Sequence, residues 1–361
     1  MNKNAFSVCR LDTIQPYKPS NQVAWFLPPE TKPLKLDWNE SPLPPSPSVM
    51  NAVRKFLDHP NALNWYPDAN SQDLRAKLSE HWKVPEECVQ TYCGSDSALH
   101  AAVRIFTKSG GAVLMVSPTY DNFRIYALEA QCSVILDGPK DIYSLSGAEL
   151  SALVEKHKPQ LVYLSNPNNP TGWLVPAKEI EEVVRRFPET MFIVDEAYAE
   201  FSNVTVIPLA VLVPNLVAFR TFSKAYGLAG LRIGYIIGSP GNIDYLNLIR
   251  NGKNVSMIGQ VAAIAALNDQ DYLKEILIRV RKGEQILESG LTRLGFPFRA
   301  SPANFVLVKF PDAKKVQDSL VAQNAFVRSM SHLPGMEGYL RITLGDEEQM
   351  TRFMVALEKS L

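Results

Sequence analysis

The chain has 361 residues, of which 46% are hydrophobic and 20% are charged, and its 37 Lys and Arg residues balance 37 Asp and Glu residues. This composition allows a large buried core, and a chain of this length favours two lobes over a single domain. A formal net charge of +0 excludes a global field that would hold the chain on nucleic acid or an anionic membrane, so the expected partners are small molecules or a second copy of the chain.

Cysteine content and hydropathy bear on the compartment. Cys9, Cys88, Cys93 and Cys132 form no C-x-x-C pair and are too sparse for a disulfide framework. The first residues contain no apolar run like the core of a signal peptide, and no stretch reaches the roughly 18 consecutive apolar residues of a membrane span. We therefore expect reduced thiols, no membrane association and a cytoplasmic protein.

Residues 1–47 are rich in proline and show no long periodic run, so we expect an extended arm that packs on the rest of the protein. A disordered tail is the alternative, but Tyr17, Trp25 and Trp38 carry more apolar surface than a solvated tail does. The arm ends in the string LDWNESP, which contains Asn39 and Glu40.

Two helices are predicted next, at residues 46–57 and from the NWYPDAN string to about Trp82. Tyr66 in that string precedes a proline, which is typical of a surface turn. From Gln90 onward, strands alternate with helices, which indicates a parallel sheet with crossovers. The first strand stops at a glycine, and Ser95 and Asp96 begin a helix whose unpaired backbone N–H groups and positive dipole end can hold a phosphate.

The next strands also end in polar residues. Residues 112–116 lead into SPTYDNF, where Tyr120 lies just past the carboxyl end of the strand, the place where ligands bind in open α/β sheets, although an aromatic there could equally belong to the core. Residues 161–164 run into SNPNNPTGW, whose prolines and glycine exclude regular structure. This segment is therefore predicted to be a rigid loop that presents Asn169.

A helix at residues 177–186 precedes the apolar run MFIVDEAY, which places Asp195 at the end of a strand and Tyr198 three residues later. A buried carboxylate is costly without a partner, so we expect Asp195 to be paired with a positive group.

The apolar run at residues 216–222 delivers Ser223 and Lys224 to a turn, and a loop with spaced glycines leads to Arg232 before another apolar run at residues 233–237. A lysine at a strand end can lose its proton and attack a carbonyl, including that of pyridoxal phosphate. The neighbouring hydroxyl and Arg232 would suit a bound phosphate. Taken alone, however, a Ser-Lys pair in a loop is more often a solvated turn.

Beyond about Asn242 the helices lengthen, including one at residues 272–294. A strand at 304–310, a helix near 314–322, two short strands that carry Arg328 and Arg341, and a final helix from about Asp346 complete a smaller α+β lobe. Arginines on such runs are usually solvated, so neither one alone indicates a site.

The order T-x-S-K-x-x-G-L-x-G-x-R-x-G, from Thr221 to Gly234, resembles the lysine segment of class II pyridoxal phosphate aminotransferases of the aspartate aminotransferase fold. The LDWNESP and SNPNNPTG strings resemble further segments of that family, so the resemblance spans nearly the whole chain. It implies an α/β fold of type I with three parts: an arm at 1–47, a large cofactor-binding domain at 48–245 with a mainly parallel seven-stranded sheet, and a small α+β domain at 246–361.

The resemblance also implies roles at the ring of pyridoxal phosphate. Lys224 would hold the cofactor as an imine and move the proton in a transamination between an amine and a 2-oxo acid. Asp195 would stabilise the ring nitrogen, Tyr120 would stack on the ring, and Asn169 and Tyr198 would contact its phenolic oxygen.

The cofactor phosphate would have several neighbours in the same chain, namely Ser95, Asp96, Thr221, Ser223 and Arg232. In the histidinol-phosphate aminotransferase branch of the family, which acts in histidine biosynthesis, a tyrosine at the position of Tyr66 reaches the cofactor phosphate of the neighbouring subunit. The resemblance therefore implies a homodimer with shared active sites.

The substrate expectation follows the same branch, which uses histidinol phosphate and 2-oxoglutarate. The residues expected to bind substrate are Tyr17, Asn39, Arg328 and Arg341. Ser97 departs from the glutamate that the family often has, which leaves the substrate open. An aromatic or other amino acid aminotransferase and an enzyme like threonine-phosphate decarboxylase remain alternatives, whereas a regulator with an inactive domain is disfavoured because the lysine is present and there is no room for a DNA-binding segment.

Overall fold

The computed structural model describes residues 23–361. In this range the strands are β1 (Leu34–Leu36), β2 (Val89–Cys93), β3 (Ala112–Val116), β4 (Ser133–Asp137), β5 (Leu161–Ser165), β6 (Met191–Asp195), β7 (Leu216–Thr221), β8 (Ile233–Gly238), β9 (Phe298–Arg299), β10 (Phe305–Lys309), β11 (Ala325–Ser329) and β12 (Tyr339–Thr343). The helices are α1 (Pro47–Leu57), α2 (Gln72–Trp82), α3 (Gly94–Phe106), α4 (Asn122–Glu129), α5 (Gly147–His157), α6 (Ala177–Arg186), α7 (Ala199–Ser202), α8 (Ile207–Ala210), α9 (Pro240–Asn247), α10 (Met257–Asn268), α11 (Gln270–Arg293), α12 (Ala313–Ala322) and α13 (Glu347–Glu358). Short 3₁₀ helices lie at Val23–Trp25, Pro29–Thr31, Glu86–Cys88 and Ala229–Leu231. None of the helices in this range is both long and apolar enough to cross a membrane.

The larger sheet has seven strands in the order β2-β8-β7-β6-β5-β3-β4. Strand β8 is antiparallel to both of its neighbours, and the remaining pairs are parallel. The predicted mainly parallel seven-stranded sheet is therefore confirmed.

Side-chain alternation along the central strands produces a layered structure. On β5, Leu161 and Tyr163 pack in one apolar cluster with residues of α3, α4 and α9. Val162 and Leu164 point to the opposite face and join a second cluster that contains α5, α6 and α10 and extends into the C-terminal part of the chain. Because both faces are covered, the central strands are mostly apolar and carry their polar residues toward their carboxyl ends, as at Ser165, Asp195 and Thr221.

The smaller sheet has five strands in the order β1-β11-β12-β10-β9. Strand β1, from the proline-rich N-terminal segment, pairs parallel with β11, and α11, α12 and α13 lie close to this part of the chain. The described part of the N-terminal segment thus adds a strand to the C-terminal sheet. The predicted domain limits at residues 47 and 245 remain a proposal.

Two helix starts agree with their sequence signals. Ser46 caps α1, since its hydroxyl accepts a hydrogen bond from the backbone N–H of Val49. Asp346 and Gln349 form a capping box at the start of α13. Between residues 130 and 161 the sequence yielded no predicted element, yet β4 and α5 are there. Strand β4 is a half-exposed edge strand, so its apolar pattern is weak.

Strands β2, β3, β5, β6 and β7 all point the same way, because β2 and β7 are each antiparallel to β8. Their carboxyl ends therefore meet at one edge of the sheet. That edge gathers the polar loops that follow each strand and forms one wall of the candidate site.

Candidate active site

A cavity of about 590 Å³ lies at this sheet edge and is closed on the other side by the smaller sheet. From the larger sheet, its lining includes Ser95, Asp96, Tyr120, Asn169, Asp195, Tyr198, Thr221, Ser223, Lys224 and Arg232. Arg328 and Arg341 line it from the smaller sheet. The structure therefore brings together the side chains that sequence analysis selected from segments far apart in the chain.

Of the described residues predicted for the site, Tyr66 and Asn39 do not line this cavity. Tyr17 lies outside the described residues. Tyr66 is 78% exposed on the connection between α1 and α2, with its ring 4.1 Å from Nζ of Lys253. Asn39, expected to bind substrate, is fully buried and contacts Tyr198 instead. Its predicted contact with the substrate stays a prediction.

Lys224 follows β7 and projects into the cavity. Its Nζ donates a hydrogen bond to the backbone carbonyl of Trp38 (2.8 Å) and lies 5.9 Å from the centre of the Tyr198 ring. Burial, and secondarily the positive charge of Arg341, lower the pKa of the Lys224 amine to about 8. Roughly a tenth of this amine is therefore neutral, and thus nucleophilic, at pH 7, far more than for an ordinary lysine.

Asp195 ends β6 and is 4% exposed. Among the described residues no cationic side chain forms an ion pair with it. Tyr163 donates its hydroxyl proton to Oδ2 of Asp195 (2.8 Å), and the backbone N–H of Ala197 donates to Oδ1 (3.2 Å). Burial raises the pKa of Asp195 to about 6. The carboxyl thus faces the cavity with only neutral hydrogen-bond donors, which leaves room for a positive group of a ligand.

An anion-binding corner lies where α3 begins. Gly94 has a positive φ of 73°, and no side chain caps the helix start, so the first backbone N–H groups remain available. Arg232 lies beside Gly94 and donates a hydrogen bond to the Ser223 hydroxyl (3.3 Å). The hydroxyl of Thr221 donates to the same oxygen (2.9 Å). This corner combines hydroxyls, a guanidinium and a helix N-terminus, which are the usual ligands of a phosphate.

Asp96 connects this corner to Tyr120. The Tyr120 hydroxyl donates to Oδ1 of Asp96 (2.8 Å) and accepts a hydrogen bond from the Asn122 amide (2.8 Å). Oδ2 of Asp96 lies 3.4 Å from the Arg232 guanidinium. Asp96 therefore orients the Tyr120 hydroxyl and the Arg232 guanidinium beside this corner.

Two polar groups expected at the phenolic oxygen of the cofactor have fixed orientations. Oδ1 of Asn169 accepts a hydrogen bond from Nη1 of Arg341 (2.7 Å), so its Nδ2 is the group left to donate. The Tyr198 oxygen accepts from Nδ2 of Asn39 (2.9 Å), whose Oδ1 accepts from the Thr343 hydroxyl (3.1 Å). Since the Tyr198 oxygen is already an acceptor in this chain, its own proton is free to be donated elsewhere.

The far end of the cavity is lined by residues of β11 and the turn that follows it. Arg328 is half-buried there, and its side chain forms no hydrogen bond or ion pair with another described residue. His332 lies nearby, and burial followed by the charge of Arg328 lowers the pKa of its imidazole. Met330 and Leu333 complete the wall. Sequence analysis named only Arg328 in this group, because a turn without a motif has no recognisable pattern.

A buried ion network beneath the site was also missed. Arg220 on β7 is 3% exposed and pairs with Glu196 (3.1 Å) and Glu200 (3.0 Å), while its guanidinium lies 4.6 Å from the centre of the Trp82 ring. The network ties the segment that carries Tyr198 to β7, the strand that leads to Lys224. A lone arginine within an apolar strand was the available signal, since a buried guanidinium requires carboxylate partners.

Comparisons with known proteins agree with this geometry. The model of the family described as aminotransferase class I and II matches residues 31–357. A dihydroxyacetone phosphate transaminase of Campylobacter jejuni is 39% identical over 88% of this chain and 87% of its own length. A histidinol-phosphate aminotransferase of Ruminiclostridium cellulolyticum is 35% identical over 88% of this chain and 89% of its own length.

Among solved structures, histidinol-phosphate aminotransferase from Sinorhizobium meliloti in complex with pyridoxal-5'-phosphate superimposes with a TM-score of 0.89 at 28% identity, over 99% of this chain and 98% of that chain. The predicted aspartate aminotransferase type of fold is confirmed.

Proposed function

The chain belongs to the aminotransferase class I and II family. We propose that it transfers an amino group to or from a phosphate monoester. The favoured substrates are histidinol phosphate and 2-oxoglutarate. The protein is a pyridoxal phosphate-dependent aminotransferase. When bound, pyridoxal phosphate supplies a carbonyl that captures the substrate amine and a protonated ring that withdraws electrons from the substrate carbon.

The residues of the cavity fit this cofactor. The start of α3, Ser223 and Arg232 offer the donors that a phosphate needs. Asp195 is a buried carboxyl without a cationic partner among the described residues, and a protonated ring nitrogen would supply the missing charge. Asn169 and Tyr198 each retain a proton for an oxygen on the ring.

In the proposed mechanism Lys224 has two tasks. Its amine, with a pKa lowered to about 8, is neutral often enough to attach the cofactor. The free Lys224 amine would also act as the general base that removes the proton from the substrate carbon and as the acid that returns it one atom away. The Trp38 carbonyl orients Nζ, and Tyr198 and Asn169 stabilise negative charge on the ring oxygen by donating protons to it.

The observation that carries the substrate proposal is Arg328 at the end of the cavity, beside Arg341, with no hydrogen-bond or ion-pair partner among residues 23–361. Histidinol phosphate has no α-carboxylate, so the arginines would have to meet a phosphate, which suits two guanidinium groups. Arg341 would also bind a carboxylate of glutamate or 2-oxoglutarate in the other half reaction.

Dihydroxyacetone phosphate is a second candidate substrate, because the relative that carries its name is 39% identical to this chain. It is also a phosphate monoester without an α-carboxylate, and it is much smaller than histidinol phosphate. The same pair of arginines would bind its phosphate, with glutamate as the amino donor. The two substrates differ in the size of the part attached to the phosphate, so the space in the cavity beside the arginines would decide between the two reactions.

Turnover at equal substrate concentration tests the proposal. The panel pairs histidinol phosphate with 2-oxoglutarate and dihydroxyacetone phosphate with glutamate, and adds phenylalanine, tyrosine and threonine phosphate. Histidinol, which lacks the phosphate, is the matched control. We expect a phosphate monoester to be the best substrate and histidinol to be poor. Rapid turnover of an aromatic amino acid, or release of carbon dioxide from threonine phosphate, without turnover of either phosphate monoester would refute the substrate assignment but not the cofactor chemistry.

A further inference from the structure

Tyr163, on β5, is a fully buried tyrosine that none of the roles described above includes. Its hydroxyl donates a hydrogen bond to Oδ2 of Asp195 at 2.8 Å. A buried phenol on the neighbouring strand thus donates directly to the Asp195 carboxyl.

Sheet register places these two side chains together. Tyr163 pairs with Ile193 across β5 and β6, so Asp195, two residues further along β6, lies diagonally opposite on the same face of the sheet. The Tyr163 ring stacks on Phe123 of α4, with ring centres 4.2 Å apart and planes inclined by 11°. The Phe123 ring and the Asp195 carboxyl both restrict the phenol ring of Tyr163. The packing of the core therefore directs its hydroxyl toward the carboxyl.

The charges around Asp195 explain why this hydroxyl matters. The charge of Asp96 raises the pKa of the Asp195 carboxyl and that of Lys224 lowers it, but neither residue forms an ion pair with this carboxyl. Tyr198 is the other titratable group that the carboxyl affects. In the described part of the chain, Tyr163 is therefore the one side chain that donates a hydrogen bond to Asp195, and a buried carboxylate that loses a donor is strongly destabilised.

We propose that Tyr163 is a positioning residue for the cofactor, whose hydroxyl holds the Asp195 carboxylate ionised and turned toward the cavity, where the ring nitrogen of pyridoxal phosphate would meet it. This inference rests on the role proposed above for Asp195. Tyr163 does not touch the ring, since it is not part of the cavity lining, and acts only through the carboxyl.

The test compares Tyr163→Phe with Tyr92→Phe. Tyr92 is a buried tyrosine of the same apolar cluster, and its hydroxyl faces the Leu246 carbonyl instead of the site. Both substitutions remove one buried oxygen and keep the ring. We expect Tyr163→Phe to weaken the binding of pyridoxal phosphate at pH 8 about 10- to 100-fold, as for a lost hydrogen bond to a charged group, and Tyr92→Phe to leave it unchanged. Cofactor release on dilution, followed by visible absorbance, measures both.

A second readout needs no cofactor. Because the pKa of folded Asp195 is about 6 and lies above its unfolded value, the folded chain holds an extra proton between about pH 4 and pH 6, and this contribution to stability falls as the pH rises through that window. Removal of the Tyr163 hydroxyl raises the pKa of Asp195 further, because this hydrogen bond lowers it. As the pH rises, the melting temperature of Tyr163→Phe should therefore continue to fall at pH values where the wild type and Tyr92→Phe have already levelled off.

A double-mutant cycle with Asp195→Asn separates positioning from mere structural support. If Tyr163 acts through the carboxylate, its substitution should change cofactor affinity little once Asp195 is replaced by the neutral amide. Full additivity of the two losses, or equal affinities of Tyr163→Phe and Tyr92→Phe, would overturn the inference. Normal cofactor binding by Asp195→Asn alone would instead refute the proposed role of Asp195, so the two failures are distinguishable.

Discussion

At the residue scale, the environment of Lys224 determines when its amine can react. Burial and the positive charge of Arg341 lower its pKa to about 8, while the Trp38 carbonyl holds Nζ in place. Below pH 8 most of the amine is protonated and cannot attack a carbonyl. The protein thus prepares a nucleophile without a dedicated base beside it.

We predict that apoenzyme captures pyridoxal phosphate at a rate that rises about tenfold per pH unit below pH 8 and levels off above it, because only the neutral amine reacts. Stopped-flow absorbance over a pH series would measure this rate. Lys224→Ala should still bind the cofactor but should neither attach it nor turn over substrate, whereas Lys140→Ala, on the surface, is the control. A rate that does not depend on pH, or full activity of Lys224→Ala, would remove Lys224 from the mechanism.

The two arginines of the small sheet should differ in what they recognise. Arg341 is buried and bonded to Asn169, so Arg341→Gln should damage both half reactions. Arg328→Gln should damage mainly the reaction of the phosphate substrate. We expect each affected reaction to lose about 2 to 5 kcal/mol of transition-state stabilisation, the range for truncating a desolvated charge pair. The measurement is kcat/KM for histidinol phosphate and for glutamate.

Arg279→Gln, on the exposed face of α11, is the matched control for loss of one positive charge. Equal losses for both substrates in Arg328→Gln would argue against a dedicated phosphate contact. Loss of the phosphate substrate alone in Arg341→Gln would argue against its double use.

At the element scale, the start of α3 packs directly against β8. A Cβ on Gly234 would come within 2.6 Å of the backbone carbonyl carbon of Gly94 and would also collide with the backbone nitrogen of Ser95. Only a glycine lets this strand lie so close to the helix N-terminus, where the cofactor phosphate is proposed to bind. The position of the anion site is therefore set by a strand that contributes no side chain to it.

We predict that Gly234→Ala displaces the start of α3, costs about 1 to 3 kcal/mol of stability and weakens the binding of pyridoxal phosphate. Gly238→Ala on the same strand is the control, because a Cβ there would meet the side chains of Val217 and Asn242 at 3.3 Å and 3.5 Å. Melting temperature and cofactor affinity are to be measured for both. A Gly234→Ala protein that binds the cofactor like the wild type would show that the helix start tolerates the shift.

At the scale of the whole molecule, the connection between α1 and α2 suggests how two copies of the chain would share their sites. Leu63, Trp65 and Tyr66 are 77%, 66% and 78% exposed there. Such a group of large apolar side chains is unusual on a free surface. We propose that the chain is a homodimer in which Tyr66 reaches the cofactor phosphate of the neighbouring subunit.

Hybrid dimers test this arrangement. Tyr66→Phe should weaken cofactor binding by roughly 0.5 to 3 kcal/mol, the range for one lost hydrogen bond, including bonds to charged groups. When it is mixed with Lys224→Ala, each hybrid dimer should contain one site free of both changes, so the mixture should recover tight cofactor binding and activity. Sedimentation measures the assembly. An active protein that remains strictly monomeric at working concentration would contradict the proposal.

Much of the fold and of the site could be predicted because their signals are local. Apolar runs that end in a polar residue, as at Asp195 and Lys224, mark strands whose carboxyl ends meet at one edge of a parallel sheet. Glycines and prolines mark the loops that follow. Strand β4 was missed because an edge strand that is half-exposed lacks the continuous apolar run by which the central strands are recognised.

The sequence by itself therefore determined the fold class, the order of strands and helices along most of the chain, and the residue types that line the cavity. Only the tertiary structure decided which of these residues bond to each other. Arg341 contacts Asn169 across 172 residues of chain, Asn39 lies behind Tyr198 across 159, and Tyr163 reaches Asp195 across 32. Such contacts depend on strand order and register, which bring distant segments side by side, and a single sequence carries no local signal for that pairing.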